Sequence, residues 1–387
     1  MTILQLISSA GFYGAESMLV SLSDSLARLD CKVIVGVLRD GRDTHVEVAD
    51  AAARLGLKTR QIPCSGRFDL KTIGHIRKLF QDDEIDLVHA HGYKADIFAF
   101  LASWPGRLVS SPQRVSLVST CHNWPNPARK MQTYAVLDRM ILKGFDHVTT
   151  PSPLVADVLR ESGIKDNHIT WIRNGVDTGR YQSPAPILRQ ELQAGNRPII
   201  GFVGRMVPAK GGEEFLEAAK IVLETHPNAL FVLAGDGPSR EPWKALATKL
   251  GIAHSVFFAG VMQDMPGVYA SFDVMTLPSH EEAMPMCLLE AMAASRASIA
   301  TSVGAVPELI TNNETGLLIE PHDAKALADA TLQLLADPAA RERMGEQARE
   351  RVVRQYSATA MARTYLGLYQ RCTNYRGMDR TPVHEEN

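Results

Sequence analysis

The 387-residue sequence lacks the features that define several large classes of protein. No apolar run reaches the roughly 18 residues of a membrane-spanning helix. The first basic residue is Arg28, so the opening stretch has no charged region typical of a secretory signal peptide. The five cysteines are scattered and contain no CxxC pair, which argues against a disulfide framework or a structural zinc site. We therefore expect a protein of the reducing cytoplasm.

Neither sign of charge is in large excess: the sequence has 41 Lys and Arg residues and 43 Asp and Glu residues, which gives a net charge of −2. Nucleic-acid-binding proteins usually carry a strong basic excess, so we expect no nucleic-acid partner. One local basic cluster lies on an amphipathic stretch and comprises Arg129, Lys130, Arg139 and Lys143. Such a stretch can rest on anionic lipid. Peripheral contact with the inner face of the cell membrane therefore stays open beside an ordinary solvated surface.

Short apolar runs alternate with longer amphipathic ones along the whole chain. This alternation predicts an α/β protein with parallel sheets that are covered by helices on both faces. The predicted strands are 3–7, 33–38, 85–89, 115–120, 147–150, 199–203, 230–234, 256–259, 274–277, 298–300 and 317–319. The predicted helices are 16–29, 46–55, 70–80, 132–142, 212–224, 240–250, 287–294, 324–336 and 356–369.

A Pro-rich stretch, Ser183-Pro184-Ala185-Pro186, fits a linker between two such halves. We expect one doubly wound, Rossmann-like domain over residues 1–182 and a second over residues 183–356, facing each other across a deep cleft. Ligands of such sheets bind beyond the carboxyl ends of the strands. The polar residues 375–387 are expected to be frayed.

The first motif follows the first predicted strand and reads Gly11-Phe12-Tyr13-Gly14-Ala15-Glu16. Glycines let the backbone approach a ligand closely, and the next helix begins with its positive end at this loop. The loop is therefore either a contact for an anionic ligand or a plain turn.

The second motif is Gly204-Arg205-Met206-Val207-Pro208-Ala209-Lys210-Gly211-Gly212, which leads from a strand into a helix. Arg205, Lys210 and the helix N-terminus together suit a diphosphate. The alternative is that the two cations are simply solvated.

The third motif runs from a predicted strand into the following apolar helix and contains two glutamates, Glu282 before the helix and Glu290 in it. Glu290 lies within the apolar helix pattern, where a carboxylate without a partner would be unfavourable. We expect a ligand hydroxyl or an internal cation to satisfy Glu290. The alternative is an exposed Glu282 and a structurally paired Glu290.

In their order and spacing, these motifs resemble the retaining glycosyltransferases of family 4, which have the GT-B fold. The family's E-x7-E element corresponds to Glu282 and Glu290, and its R-x4-K element to Arg205 and Lys210. The loop at Gly14 matches the family's N-terminal glycine loop. Further matching pieces are Asn174-Gly175-Val176-Asp177, Ala234-Gly235-Asp236-Gly237-Pro238, Val303-Gly304, Pro307-Glu308 and Thr315-Gly316-Leu317-Leu318.

The resemblance implies a nucleotide-sugar donor in the C-terminal domain and an acceptor site mainly in the N-terminal domain. Arg205 and Lys210 would bind the donor diphosphate, Glu290 the ribose hydroxyls and Glu282 the transferred sugar. Such enzymes need no metal or other cofactor, because cations and helix ends stabilise the leaving diphosphate.

The resemblance also assigns roles to less conspicuous residues. Backbone amides near Met286 and Cys287 would contact phosphate, and Val261 or Met262 would flank the base. A helix over 357–374 would cross back to the N-terminal domain.

His122, after a predicted strand, matches the family's active-site histidine, which contacts the donor sugar. His89 and His91 lie two apart at another strand end and therefore face the same side. A metal site would need further ligands, and His91 is more simply placed in an acceptor-side loop.

The activity implied is transfer of a hexose-type sugar, with UDP-sugar favoured over GDP-sugar, to a glycan or lipid-linked acceptor of cell-envelope, exopolysaccharide or lipopolysaccharide biosynthesis. Two alternatives stay open: a catalytically weak binding or assembly subunit, and a sugar-nucleotide epimerase. The sequence departs from the family pattern at Ala283, Ser295, Ser302 and Ala305, which bear on the shape of the donor pocket.

Overall fold

A computed structural model describes residues 1–9, 11–39, 46–66, 69–108, 114–122 and 139–374. The chain forms two compact units. The first comprises Met1–Arg173 and the segment that begins at Thr359, and the second comprises Asn174–Ala358. Within the described residues, no helix is both long enough and apolar enough to cross a membrane.

The first unit contains a seven-stranded parallel sheet of order β3-β2-β1-β4-β5-β6-β7. Its strands are β1 (Thr2–Ile7), β2 (Lys32–Arg39), β3 (Lys58–Pro63), β4 (Leu87–His91), β5 (Ser116–Thr120), β6 (His147–Thr150) and β7 (Ile169–Trp171). Its described helices are α1 (Gly14–Ala27), α2 (Glu47–Arg54), α3 (Leu70–Asp82), α4 (Tyr93–Leu108) and α5 (Pro153–Glu161), with a short 3-10 turn at Asp166–His168.

The second unit contains a six-stranded parallel sheet of order β10-β9-β8-β11-β12-β13. Its strands are β8 (Ile199–Val203), β9 (Leu230–Ala234), β10 (Val256–Gly260), β11 (Val274–Leu277), β12 (Ala297–Thr301) and β13 (Leu317–Ile319). Its helices are α6 (Ile187–Glu191), α7 (Gly212–Thr225), α8 (Arg240–Lys249), α9 (Met265–Ser271), α10 (Met286–Ala293), α11 (Val306–Leu309), α12 (Ala324–Ala336) and α13 (Pro338–Gln355), with 3-10 turns at Thr178–Tyr181, Pro208–Lys210 and Ala253–Ser255.

Both sheets therefore have the doubly wound order, in which successive strands are added first on one side of the starting strand and then on the other. The change of side lies between β1 and β4 in the first sheet and between β8 and β11 in the second. Ligands of such sheets bind at this switch point, beyond the carboxyl ends of the strands.

Apolar burial explains why these strands form where they do. Every residue of β8 and β9 is buried. In the core of the second unit, Phe202 packs against Phe215 through a tilted ring contact and against Trp243 through an edge-on one. The predicted strands agree with the structure to within two residues at each end, and the predicted α/β fold class is confirmed.

The sequence patterns missed several elements. β3 is an edge strand whose residues are mostly exposed, so its sequence carries no continuous apolar run. Strand β7, helices α4, α5, α6, α9 and α13, and the short α11 were also not predicted. The predicted helix 132–142 lies largely outside the described residues, as do Arg129, Lys130 and the tail 375–387.

Residues 174–182 make their contacts within the second unit. That unit therefore begins at Asn174, earlier than the boundary predicted at Gln182. Asn174 Nδ2 donates a hydrogen bond to the carbonyl oxygen of Met284 at 3.1 Å. Val176 forms a parallel β-bridge with Ser357. The guanidinium of Arg349 donates to the carbonyl oxygens of Thr178 and Tyr181, each at 3.4 Å.

The last described helix, α14 (Ala358–Asn374), packs within the first unit from Thr359 onward. Tyr365 Oη lies 3.0 Å from Thr120 Oγ1, and Ser116 Oγ donates to the carbonyl oxygen of Cys372 at 3.0 Å. The helix is thus held against strand β5 by polar as well as apolar contacts.

Candidate active site

Lys210 and Glu282 meet at the switch point of the second sheet. Lys210 lies on the segment that leaves β8, and Glu282 on the segment that leaves β11. Lys210 Nζ is 2.5 Å from Glu282 Oε1, and Ser279 Oγ donates to the same oxygen at 2.8 Å. The Glu282 side chain is only 7% exposed, against 27% for Lys210. The ammonium is therefore fixed by a buried carboxylate and keeps an accessible side.

Two glycines allow the segments around this ion pair to pack closely. Gly211 has φ of +70°, and a Cβ there would lie 1.9 Å from the carbonyl oxygen of Pro278. Gly304 has φ of +53°, and a Cβ there would lie 1.6 Å from the carbonyl oxygen of Glu282. A side chain at either position would push the Glu282 segment away.

Glu290 lies on α10 and is almost fully buried, with 7% of its surface exposed. The hydroxyl of Tyr269, on α9, donates to Glu290 Oε2 at 2.9 Å. Burial and the nearby carboxylate of Glu290 raise the pKa of both Tyr269 and Tyr181 well above the usual value. A phenol therefore contacts Glu290, where the sequence analysis expected a ligand hydroxyl or an internal cation.

The N-terminus of α10 lies between the two glutamates in sequence. Met286 and Cys287 are its first two residues, so their N–H groups have no acceptor inside the helix. Burial raises the pKa of the Cys287 thiol, and the carboxylates of Glu282 and Glu290 raise it further while Lys210 lowers it. Glu282, Glu290 and Lys210 are thus close enough to Cys287 to act on one thiol, and the helix end adds a positive potential.

The remaining predicted donor residues lie on segments that leave β8 and β10 at the same edge of the sheet. Arg205 follows β8 and is exposed. Val261 and Met262 follow β10, and Val261 is 59% exposed. The four departures from the family pattern are also placed: the Ala305 N–H donates to the Ala283 carbonyl at 3.0 Å, Ser302 is exposed and Ser295 has φ of +56°.

In the first unit, the glycine loop after β1 is organised by Glu16. Glu16 Oε2 accepts a hydrogen bond from the Tyr13 N–H at 3.0 Å, and Glu16 Oε1 accepts one from Ser9 Oγ at 2.9 Å. Gly14 is the exposed first residue of α1. Glu16 therefore shapes the loop, and Gly14 stands at the helix end where an anion would be favoured.

Three histidines lie on or directly after β4 and β5: His91 ends β4, His89 lies two residues earlier in that strand, and His122 follows β5. His91 Nδ1 is 3.0 Å from His122 Nε2, and His91 Nε2 is 2.8 Å from Gln5 Oε1. His89 contacts Thr120 Oγ1 and Tyr369 Oη, both at 2.6 Å. Burial lowers the pKa of His89 and His91 well below the usual value and that of His122 to about 4. All three imidazoles are therefore neutral at pH 7.

The sequence predicted roles for His122, Glu282, Glu290, Lys210 and Arg205, but not for the residues that contact several of them in the structure. Tyr269, Tyr181 and Gln5 lie outside the sequence motifs, and Ser279 lies in the motif of Glu282 but was given no role. Only the buried position of Glu290 within an apolar helix signalled that some partner had to exist.

Comparison with known proteins places this arrangement in a family. Residues 185–351 match the glycosyl transferases group 1 family, and residues 12–180 match glycosyltransferase family 4. The chain therefore belongs to the family 4, group 1 glycosyltransferases, a retaining hexosyltransferase family with the GT-B fold. It is an enzyme that uses a nucleotide-sugar donor.

Individual relatives differ in the reactions that their names describe. Glycogen synthase of Mycobacterium tuberculosis is 28% identical over 295 residues, covering 73% of this chain and 68% of that protein. D-inositol 3-phosphate glycosyltransferase of Corynebacterium aurimucosum is 24% identical over 383 residues, covering 92% and 90%. The solved structure of HepE from Anabaena, in complex with UDP and glucose, has a TM-score of 0.82 at 21% identity and covers 96% of this chain and 100% of that one. The HepE likeness shows the shared fold.

Proposed function

We propose that the protein transfers a hexose from a UDP-sugar to a glycan or lipid-linked acceptor in cell-envelope or extracellular polysaccharide biosynthesis. The observation that carries the proposal is the Lys210–Glu282 pair at the switch point of the second sheet. UDP is favoured because HepE, whose fold this chain shares, was solved with UDP and glucose.

The donor diphosphate would bind against Arg205, Lys210 and the N–H groups of Met286 and Cys287. The guanidinium supplies a planar fork, the ammonium a point charge and the helix end aligned N–H donors. All three oppose the negative charge that develops on the leaving diphosphate. Glu282 would keep Lys210 in place and contact the transferred sugar.

The nucleoside would bind beyond the carboxyl end of β10 and beside α10. Glu290 would accept hydrogen bonds from the ribose hydroxyls while Tyr269 holds its carboxylate from the other side. Val261 or Met262 would flank the base. In the first unit, His122 would contact the donor sugar, and the helix end at Gly14 would face an anionic group.

We assign no protein nucleophile. In the route we propose, the leaving phosphate oxygen accepts the proton of the acceptor hydroxyl on the same face of the sugar. Attack from the face of the departing diphosphate preserves the configuration at the anomeric carbon. His122 is neutral, so it would contact the sugar through a hydrogen bond and not through an ionic interaction.

The test measures thermal unfolding with UDP, GDP and ADP, for the wild type and for Arg205→Ala and Lys210→Ala. A ligand present at 100 times its Kd adds about 2.7 kcal/mol of stability. We expect stabilisation by UDP, with each variant weakening UDP binding by about 1.5–3 kcal/mol. Lys249→Ala, which removes an exposed cation from α8, serves as the control.

Unchanged UDP affinity in both site variants would contradict the diphosphate assignment. A second measurement addresses Glu282. Glu282→Ala should reduce sugar transfer more than it reduces UDP affinity, and equal losses would place Glu282 outside the sugar contact. A protein that binds a UDP-sugar but never transfers the sugar to any acceptor would instead be a binding subunit.

A further inference from the structure

A second cluster of polar side chains lies on the second unit beside the donor residues. It consists of Glu214, His280 and His322. Glu214 Oε1 is 2.8 Å from His280 Nε2 and 3.3 Å from His322 Nδ1. The two imidazole rings are 3.8 Å apart between centroids, and the three ligand atoms all lie within 4.8 Å of one another.

The topology of the sheet explains how residues so distant in sequence converge. Glu214 lies in the first turn of α7 after β8, His280 follows β11 and His322 precedes α12 after β13. All three strands are parallel members of one sheet, so the segments leaving them emerge at the same edge.

The backbone holds two of these residues in defined positions. The N–H of His280 donates to the carbonyl oxygen of Ala209 at 2.8 Å, which ties its segment to the one that carries Lys210. His322 has φ of +62°, a left-handed conformation that is unfavourable for most residues with a side chain.

Two imidazole nitrogens and one carboxylate oxygen are the donor set of divalent first-row transition metals, whereas Mg²⁺ and Ca²⁺ prefer oxygen alone. Zinc binds such ligands at about 2.0–2.2 Å. The present separations need to change only slightly to admit an ion among the three atoms. We propose that Glu214, His280 and His322 form a binding site for a divalent metal ion of the zinc class.

The exposed fractions of the three side chains indicate that the proposed metal site is open to solvent on one side. The side chains of Glu214 and His280 are 16% and 24% exposed, and that of His322 is 64% exposed. Three protein ligands with one side open to solvent leave a coordination position for water. The ion would bind by exchange with solvent, and no chemical step is assigned to it.

The ion would connect three segments that already meet through hydrogen bonds and packing. His280 is two residues before Glu282, and Glu214 is four residues after Lys210. A bound ion would therefore restrain both segments of the Lys210–Glu282 pair. The metal site itself does not depend on the sugar-transfer function, because its test needs no nucleotide.

The test titrates the full-length protein with Zn²⁺ by calorimetry and with Co²⁺ by absorption spectroscopy. We expect one ion per chain in the wild type and a rise of its unfolding temperature with Zn²⁺. His322→Gly removes a direct ligand and should weaken Zn²⁺ binding by at least the roughly tenfold that loss of a ligand's hydrogen-bond partner costs. Glycine suits the left-handed backbone at this position, so the variant should fold normally.

Two further proteins complete the experiment. Glu214→Gln removes the charged ligand with little change of shape and should also weaken binding. His254→Ala removes another exposed histidine of the same unit and should bind like the wild type. The proposal is overturned by absence of stoichiometric binding, by equal affinity in the wild type and His322→Gly, or by an intense thiolate-to-cobalt charge-transfer band, which would place the ion on cysteine.

Discussion

His91 Nδ1 lies 3.0 Å from His122 Nε2, and the two rings are stacked at 24° with centroids 5.2 Å apart. Gln5 Oε1 is an acceptor only, so its contact with His91 Nε2 assigns the proton of neutral His91 to Nε2. His91 Nδ1 then accepts a hydrogen bond from His122 Nε2. His91 is therefore a positioning residue that sets both the orientation and the tautomer of His122.

Replacing His91 should impair turnover more than donor binding. In His91→Phe the ring is kept but the hydrogen bond to His122 is lost, which corresponds to about 1 kcal/mol, or about fivefold in kcat. The stabilisation by UDP should stay unchanged, because the proposed nucleotide contacts belong to the second unit. Steady-state kinetics and thermal unfolding with UDP measure the two effects.

His147→Asn provides the matched control for this variant. His147 contacts Thr170 Oγ1 at 2.7 Å in the same unit, and no part is proposed for it in transfer. Equal changes of kcat in the two variants would show that His91 acts only through the stability of the first unit. Partial recovery of kcat in His91→Asn, which can again hydrogen-bond, would support the positioning role.

The buried histidines should make the protein less stable in mild acid. Burial lowers the pKa of His122 to about 4, whereas an unfolded histidine titrates near its ordinary value of about 6.5. Between these values the unfolded chain binds more protons than the folded one. The free energy of unfolding therefore falls as pH decreases from about 6.5 toward 4, by up to about 1.4 kcal/mol per pH unit for each such histidine.

Urea denaturation at a series of pH values measures this dependence. His122→Asn removes one of the titrating groups, so its stability should fall less steeply than that of the wild type over the same range. His89 and His91, whose pKa values are also lowered by burial, would account for part of the slope that is left. An identical slope in the wild type and His122→Asn would mean that His122 takes up as many protons in the folded protein as in the unfolded one, so that folding does not lower its pKa.

Tyr269→Phe should destabilise the second unit by about 1–3 kcal/mol, because it leaves the buried Glu290 carboxylate without this donor. The measurement is urea denaturation in the wild type and in a Glu290→Gln background. The loss should be smaller in the second background, where no buried charge needs support. The same loss in both would show that the Tyr269 hydroxyl stabilises something other than the carboxylate.

Ser295→Gly should stabilise the protein by a few tenths of a kcal/mol to about 1 kcal/mol. Ser295 has φ of +56°, where a Cβ is strained and glycine is not. Ala294→Gly is the control, since Ala294 has φ of −84° and is buried, so glycine there adds flexibility to the unfolded chain and removes a packed methyl group. Differential scanning calorimetry should show a higher Tm for the first variant and a lower one for the second. A lower Tm for Ser295→Gly would show that the serine side chain makes a contact that outweighs the strain.

The elements that were predictable are those whose local pattern agrees with their burial. Strands such as β8 and β9 are apolar throughout because both faces of a central parallel strand are covered. β3 and α13 carry weaker signals, since one is an exposed edge strand and the other is largely polar. The motifs predicted to bind the donor were recognisable because each lies on a short segment directly after a strand. Their order and spacing along the chain could therefore be compared with those of the family.

By itself the sequence determined the alternation of strands and helices, the two doubly wound halves and the family to which the chain belongs. The tertiary structure decided which side chains meet. Tyr269 contacts Glu290, and His91 contacts His122. Glu214 contacts His322, which is 108 positions away in the sequence. Parallel strands bring all their carboxyl ends to one edge whatever their order in the chain, so contacts at that edge depend on sheet order and loop geometry, which local sequence patterns do not encode.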